Sequence, residues 1–542
     1  MGPEADKIIR CLVDSKVKSR RADGNPLLFV PEADLNVYKD ALKNSAVGVE
    51  AFPGVPKSTK DFEEMDSALL ALEFGSSYMV PGARFNEMYG WDSYFITLGL
   101  VHSSSPPNTE LLRIATSMLR NHVYQVENYG KVLNANRSYF LNRAQPPLLS
   151  STLMLLLPYI TDDDKLVVLG KILLNLAFPQ RQVQRATAAI VKEYDTVWKS
   201  TPRYDEITGL SKWEIGVEAF PGVPKSTKDF EEMDSALLAL EFGSSYMVPG
   251  ARFNEMYGWD RYHKGVVDAQ VQSDMAVRES GHDTTARLNR YDACDMATVD
   301  LNCILYKIER DMAFLKEPSR DWTALAEARK LTILRLMYIP ERSAFFDYNT
   351  RNGQVDTSFL SVTGLAYPLW CGVVDGDRQL SNEVVNTLMG YLGQPGGVVS
   401  DDLKNNEKGF TGQWDWPAGW APHQMITWMG LMRLGYLTQA RDLASRWVRL
   451  CLRTFQVYDC LPEKFDVVHC TSRIDVEYGN QCSEKGEYFG WTIASVEMAL
   501  QSVLTAEDIA QINHDFSNSR GFEKSPAEED EKHPQATVNS CG

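Results

Sequence analysis

The chain carries VPGARFNEMYGWDSYF at residues 80–95 and QWDWPAGWAPHQ at residues 413–424. Both stretches combine turn-forming Gly and Pro with tryptophan and carboxylate residues. A tryptophan ring can cover the apolar face of a sugar, while Asp, Gln and Arg side chains hydrogen-bond its hydroxyls. Loops that only cap helices have a similar composition, so these residues alone leave a sugar site and a structural role open.

Outside these stretches the hydrophobic pattern is helical. Apolar residues recur three and four positions apart over residues 111–126, 297–315 and 322–337, and almost continuously over 425–452. This spacing predicts helices that bury one face, whereas strand-like alternation is scarce. The pattern indicates an all-α protein in which the intervening loops carry the function.

Composition and charge narrow the possible partners. The 542 residues are 44% hydrophobic and carry a formal net charge of −17. A chain this apolar builds a large core, which excludes a disordered or fibrous protein. Its acidity disfavours nucleic acid and anionic membrane surfaces as partners. The longest apolar stretch, residues 148–160, is shorter than the ~20 residues that span a membrane.

The cysteines and the N-terminus predict a cytoplasmic protein. Nine cysteines, an odd number with no C-x-x-C pair, favour thiols in a reducing compartment, and we expect neither a metal site nor a cofactor. Residues 1–15 lack the unbroken apolar region of a signal peptide.

The polar tail, residues 513–542, contains an acidic run and is expected to be disordered.

One segment of the chain occurs twice. Residues 48–92 recur without a change as residues 216–260. Natural repeats drift because their neighbours differ, so perfect identity indicates a recent duplication or an error in the sequence. The first copy continues into an apolar run at residues 95–101 that predicts a helix, whereas the second continues into Arg261 and different residues. We therefore expect only the first copy to form part of a functional site.

The two quoted stretches match the two signatures of the trehalases, P-G-G-R-F-x-E-x-Y-x-W-D-x-Y and Q-W-D-x-P-x-G-W-x-P. The one departure is Ala83, which replaces the second glycine of the first signature. Further matches are LNANRSYFLNRAQPP at 133–147, VRESGHDTT at 277–285, EKFDV at 463–467, VEYGNQ at 476–481 and YFGW at 488–491. The chain therefore resembles the trehalase family, and most of all the cytosolic neutral trehalases of fungi.

The resemblance implies an (α/α)6 toroid, with six inner and six outer helices around a central active site. It implies hydrolysis of α,α-trehalose to two glucose molecules with inversion of configuration. We expect residues 47–512 to form this catalytic domain, with the segment 216–260 as an irregular insertion. Residues 1–46 are expected to be an N-terminal remnant or extension, and residues 513–542 a disordered acidic tail.

The resemblance also assigns site residues. By motif match the general acid is Asp283 and the general base is Glu463, and inversion requires such a pair on opposite faces of the sugar. The two residues are far apart in sequence, so only a closed helical ring brings them together. The positions expected to contact the sugar are Arg84, Trp91, Asp92, Asn134, Arg143, Gln145, Arg278, Gly281, Trp414, Asp415 and Glu477.

Part of the family pattern is missing. Fungal members carry a P-P-E-T-E segment before the R-E-S-G-H-D element, and this chain has the second copy of its repeat there instead. The family also places an arginine where this chain has Met275. An impaired, sugar-binding or regulatory derivative of a trehalase therefore remains an alternative. Another toroidal glycosidase, such as a glucoamylase-like enzyme, is disfavoured by both signatures.

Overall fold

The structure is a computed structural model that describes residues 27–30, 35–43, 48–51, 76–83, 85, 87–104, 107–136, 140, 143–160, 180–213, 269–288, 292–403, 412–474 and 487–518. The helices of these residues are α1 Leu35–Leu42, α2 Gly90–His102, α3 Thr109–Tyr129, α4 Leu149–Leu156, α5 Gln180–Glu193, α6 Ala269–Glu279, α7 Val299–Phe314, α8 Trp322–Leu336, α9 Val362–Cys371, α10 Arg378–Thr387, α11 Ala421–Arg433, α12 Leu437–Tyr458, α13 Gly490–Met498 and α14 Ala506–Asn518. The strands are β1 Leu27–Val30, β2 Gly48–Ala51, β3 Met296–Ala297, β4 Tyr338–Ile339, β5 Ala344–Phe345, β6 Tyr348–Asn349, β7 Gln354–Val355, β8 Gly393–Gln394, β9 Gly397–Val398, β10 Ala418–Trp420 and β11 Lys464–Asp466.

Six helices form a closed inner ring. Helices α2, α4, α7, α9, α11 and α13 each contact the next in this order, and α13 contacts α2. Helices α3, α5, α8, α10, α12 and α14 alternate with them along the chain and pack outside: α3 against α2 and α4, α8 against α7, α10 against α9, and α12 against α11 and α13. The arrangement confirms the predicted (α/α)6 toroid.

The sequences of the two layers explain their places. All ten residues of α9, VTGLAYPLWC, are buried, as expected for a helix that is apolar on every side. The outer helix α12 instead buries one stripe, including Ala440, Leu443 and Trp447, and leaves its polar residues outside. The bounds of helix α3 are defined by capping residues. The Asn108 side chain accepts hydrogen bonds from two backbone N–H groups of the first turn, and Gly130 ends the helix with a φ of 85°.

The ring places the two signatures at one end of the molecule. Because inner helices alternate with outer helices that run back, the inner helices point the same way and begin at the same end of the toroid. The first signature leads into α2 and the second leads into α11. Bridges between neighbouring loops, such as those from Gly82 to Phe489 and from Tyr89 to Ala135, connect them at this end.

The strands are short, as the sequence predicted, and most form small hairpins. The antiparallel pair of β10 and β11 joins the second signature to the E-K-F-D-V motif, with Trp420 opposite Lys464 and Ala418 opposite Asp466. At the N-terminal side, β1 pairs in parallel with β2, and α1 lies between them in the chain. The domain boundary predicted after residue 46 therefore falls inside one small unit.

The structure bears out most predicted helices and corrects two details. The patterns at residues 111–126, 297–315 and 322–337 correspond to α3, α7 and α8. The continuous pattern at 425–452 splits into α11 and α12, because Gly435 adopts a φ of 85°, which a helix cannot continue. The tail predicted to be disordered from residue 513 is helical as far as Asn518, where Arg449 of α12 pairs with Asp515.

The cysteines agree with the prediction at five positions and depart from it at one. Cys294, Cys303, Cys371, Cys451 and Cys470 are not disulfide-bonded. Cys460 is disulfide-bonded, so the prediction of thiols is wrong there. Among the described residues, none of the helices is both long and apolar enough to cross a membrane.

Candidate active site

Four of the predicted sugar-contacting residues are linked at the start of α2. The Trp91 N–H donates to Oε1 of Gln145 at 2.8 Å. The Gly90 N–H donates to the carbonyl of Asn134 at 3.1 Å, and the Asn134 N–H donates to the carbonyl of Arg143 at 3.0 Å. These bonds fix the first turn of α2 against the loop at residues 133–148. The structure thus brings together Trp91, Asn134, Arg143 and Gln145.

An aromatic wall stands beside this turn. The ring of Trp414 stacks on Trp420, with centroids 3.7 Å apart, and lies 5.5 Å from the ring of Trp91. Gly281 lies against Trp91: its φ is 78°, and a Cβ there would lie 2.8 Å from the indole. Any side chain at position 281 would therefore displace the Trp91 ring. The wall joins three predicted site residues from three separate motifs.

Three carboxyl groups converge at the same place. Burial raises the pKa of Asp92 well above its usual value, and the negative charges of Glu463 and Asp283 raise it further. Electrostatic coupling of this kind requires short distances between the groups. Asp92 and Glu463 are buried, and Asp283 is partly exposed. The closed ring thus brings the predicted acid and base into the surroundings of Asp92, although they come from different quarters of the chain.

The backbone at Glu463 is anchored to the inner helix α13. The Trp491 indole N–H donates to the carbonyl of Glu463 at 2.8 Å, and the Thr492 hydroxyl donates to the carbonyl of Pro462 at 2.7 Å. The next residue, Lys464, is fully buried, and its ammonium lies 5.1 Å from the centre of the Trp420 ring. The sequence motifs assign no role to Lys464. Its position directly after the proposed base, Glu463, is the sequence feature that points to it.

The loop that carries Asp283 is held from its other side by a buried ion pair. Arg203 donates to both carboxylate oxygens of Glu279, with Nη2 to Oε1 at 2.5 Å and Nε to Oε2 at 3.1 Å. The Ala144 N–H also donates to Glu279, at 3.2 Å. Glu279 ends α6, and the buried Arg278 precedes it. A paired, hydrogen-bonded ion pair of this kind is costly to break, because one charge would be left buried alone.

A pair of histidines lies behind the tryptophans. Nε2 of His282 and Nε2 of His423 are 3.0 Å apart, and both side chains are buried. Burial lowers the pKa of each well below its usual value, so both rings are neutral and one donates to the other. His282 also packs edge to face on Trp414. Sequence analysis did not single out this pair, which links the loop of Asp283 to the start of α11.

Asp415, a predicted sugar contact, is surrounded by protein donors. Its carboxylate accepts hydrogen bonds from the Thr285 hydroxyl and from the backbone N–H groups of Ala286 and Gly412. Only 1% of the residue is exposed. In this structure Asp415 connects the second signature to the residues that follow Asp283.

Two predicted sugar contacts, Arg84 and Glu477, lie outside the described residues, and so does the second copy of the repeat. Met275, which stands where the family has an arginine, is buried on α6. Within the described part of the chain, no group of three or more His, Cys, Asp or Glu residues could hold a metal ion.

Comparisons with known proteins agree with this geometry. The family model described as Trehalase matches residues 50–236, 222–273 and 265–503. A cytosolic neutral trehalase of Kluyveromyces lactis is 33% identical over 546 residues, which cover 92% of this chain and 68% of that protein. A cytosolic neutral trehalase of Saccharomyces cerevisiae is 35% identical over 456 residues, which cover 79% of this chain and 57% of that protein. The chain thus spans between about half and two thirds of the length of these relatives.

A solved structure is also similar. The structure of the neutral trehalase Nth1 from Saccharomyces cerevisiae matches with a TM-score of 0.71 at 29% sequence identity. The match covers 93% of this chain and 91% of that one. The similarity therefore extends over the whole helical ring.

Proposed function

The chain belongs to the trehalase family, and we propose that it hydrolyses α,α-trehalose to two glucose molecules with inversion at one anomeric carbon. The convergence of Asp92, Asp283 and Glu463 in the helical ring is the observation that carries this proposal. Hydrolysis of an acetal with inversion requires two carboxyl groups on opposite faces of the sugar, about 6.5–9.5 Å apart. The relatives are named cytosolic, and we place the activity in the cytoplasm.

In this mechanism Asp283 is the acid and Glu463 is the base. The carboxylic acid of Asp283 gives its proton to the bridging oxygen while the bond from that oxygen to the anomeric carbon breaks. A water molecule attacks the same carbon from the opposite face, and Glu463 takes the proton that the water loses. Both groups return to their starting states after one proton passes back through solvent.

Asp92 acts as a protonated hydrogen-bond donor to the sugar. Its raised pKa means that it keeps its proton to a higher pH than an exposed aspartate. A second ionised carboxylate in this buried place would repel the negative charge of Glu463. Protonated Asp92 instead leaves one negative charge for the base and offers an O–H group to a hydroxyl of the substrate.

Trp91 and Trp414 cover the apolar face of the sugar, and Arg143 and Arg278 donate to its hydroxyls. Stacking of pyranose C–H groups on an indole suits a neutral, hydroxyl-rich ligand. Arg84, Asn134, Gln145, Gly281 and Glu477 complete the proposed sugar-binding set.

A hydrolysis assay with the full chain tests this function. We expect glucose release from trehalose and little from maltose, and Asp283→Asn should lower the rate on trehalose by ~10²–10⁴-fold, the usual contribution of general acid catalysis. Trehalose binding in calorimetry without hydrolysis would overturn the proposal in favour of the impaired derivative suggested by the missing P-P-E-T-E segment. Hydrolysis of maltose alone would indicate another toroidal glycosidase.

A further inference from the structure

The carboxylate of Asp415 has no room for a sugar hydroxyl. Its Oδ1 accepts from the Thr285 hydroxyl at 2.7 Å and from the Ala286 N–H at 3.1 Å. Its Oδ2 accepts from the same Ala286 N–H at 2.8 Å and from the Gly412 N–H at 2.5 Å. A carboxylate accepts about four hydrogen bonds in total. Protein donors therefore occupy both oxygens of a side chain that is almost fully buried.

These bonds join the second signature to the residues directly after Asp283. The Trp414 N–H donates to the Thr284 carbonyl at 3.3 Å, and the Gln413 N–H donates to the Thr284 hydroxyl at 3.2 Å. A Cβ on Gly412 would lie 2.0 Å from the Thr284 carbonyl oxygen, so only glycine allows this approach. Thr284 itself has a φ of 53°, an unfavourable conformation that its surroundings must hold.

A second buried aspartate, Asp401, holds the residue that follows Asp415. Its Oδ1 accepts from the N–H groups of Leu403 and Trp416, each at 3.0 Å. Burial and the charge of Asp415 both raise the pKa of Asp401 well above its usual value.

The pair is also tied to the inner ring. Asp401 forms a β-bridge with Ser361, whose hydroxyl accepts from the Gly364 N–H and so caps α9. Asp401 thus connects the first turn of an inner helix to the backbone N–H of Trp416. The neighbouring Asp415 continues the connection to Thr285 and Ala286. Supports of this kind fix the residues that hold a reacting group.

We propose that Asp415 is a positioning residue, which holds the loop of Asp283 in its productive place, and does not bind the sugar. The inference rests on the proposed function of Asp283 as the general acid. A displacement near 1 Å of such a group can lower the rate ~10²-fold. Loss of Asp415 should therefore impair the protonation of the leaving group more than the rest of the reaction.

Two substrates separate this role from a general loss of structure. Trehalose requires protonation of its leaving oxygen, whereas the fluoride of α-glucosyl fluoride leaves with far less help from an acid. A variant that only misplaces Asp283 should therefore lose activity on trehalose and keep it on the fluoride. Asp283→Asn is the reference, and its failure to show this selectivity would count against the proposed acid and not against Asp415.

Asp415→Asn and Asp401→Asn form a matched pair. In Asp415→Asn an amide NH2 faces backbone donors, and we expect kcat on trehalose to fall at least ~30-fold and kcat on the fluoride to change less than about threefold. In Asp401→Asn the amide carbonyl still accepts from Leu403 and Trp416, and the side chain keeps its shape. We expect this variant to remain within about threefold of the parent on both substrates.

Three results would overturn the inference: equal losses on both substrates in Asp415→Asn, a raised KM for trehalose with unchanged kcat, or an Asp401→Asn variant as impaired as Asp415→Asn. Should Asp415→Asn yield too little folded protein, Thr285→Val removes one donor to Asp415 with little change of shape. We expect that variant to lose about three- to tenfold on trehalose alone, and an equal loss on the fluoride would contradict the proposal.

Discussion

Two groups of carboxyl side chains lie at the same end of the toroid and differ in what surrounds them. In the first, burial and the negative charges of Glu463 and Asp283 raise the pKa of Asp92. In the second, the Asp415 carboxylate accepts hydrogen bonds from Thr285, Ala286 and Gly412. Trp91-Asp92 and Trp414-Asp415 are both Trp-Asp pairs of the family signatures. The difference teaches that the donors around a carboxylate, more than its motif, separate a chemical role from a structural one.

The largest expected effect concerns the first group. Asp283→Asn and Glu463→Gln should each lower kcat on trehalose by ~10²–10⁴-fold, because each removes one proton transfer. The double variant should lose far less than the product of the two single losses, because the two groups act as a unit. Steady-state kinetics measures all three. Residual activity within about tenfold of the parent in either single variant would remove that residue from the catalytic pair.

The next effect compares the two copies of the repeated segment. Arg84→Ala should lower the rate on trehalose ~10²-fold, and Arg252→Ala should change it less than about threefold. Both arginines lie outside the described residues, so the basis is the context: the first copy continues into α2, whose Trp91 is held by Gln145. The rate of glucose release from trehalose by the two variants is the measurement. Equal losses in the two variants would mean that both copies contribute to the site and would contradict this prediction.

A smaller effect distinguishes the protonated carboxyl group from the ionised one. Asp92 is proposed to be a protonated donor, so Asp92→Asn preserves a donor in the same position, and we expect kcat/KM to fall no more than about tenfold. Asp92→Ala removes the donor and leaves a cavity, and should cost about tenfold more. Parallel kinetics of the two variants is the measurement. Equal losses would show that Asp92 acts as a carboxylate and belongs with Glu463.

The smallest effect lies in the one departure from the first signature. Ala83 has a φ of 49°, a conformation that is unfavourable for every residue except glycine. Ala83→Gly should raise the free energy of unfolding by about 0.5–1 kcal/mol. Ala328→Gly, on the exposed side of α8, is the matched control and should lower it by about 1 kcal/mol. Denaturant unfolding measures both, and changes of the same sign would contradict the account of Ala83.

The sequence predicted the helices and the site motifs better than the contacts between them. Hydrophobic spacing reveals the buried face of a helix such as α3, because that face depends on local periodicity. The resemblance placed Trp91, Gly281 and Trp414 in one site, and the closed ring brings them together. The pair of Asp401 and Asp415 was not predictable, because the loops that present them are fixed only by the toroid.

The other differences have similar causes. The histidine pair, His282 and His423, joins two motifs by one hydrogen bond that neither motif predicts. The break at Gly435 reflects a backbone conformation that outweighs a favourable apolar pattern. The helical residues before Asn518 gain their order from contact with α12, and composition alone does not report such a contact.

The stereochemistry of the products tests the central claim, that Asp283 and Glu463 act across the ring as an inverting pair. Proton NMR in the first minutes of trehalose hydrolysis separates the anomers of glucose before they equilibrate. Because water attacks only one anomeric carbon, the account predicts equal amounts of α- and β-glucose at early times. Two molecules of α-glucose from each trehalose would indicate retention and would contradict it.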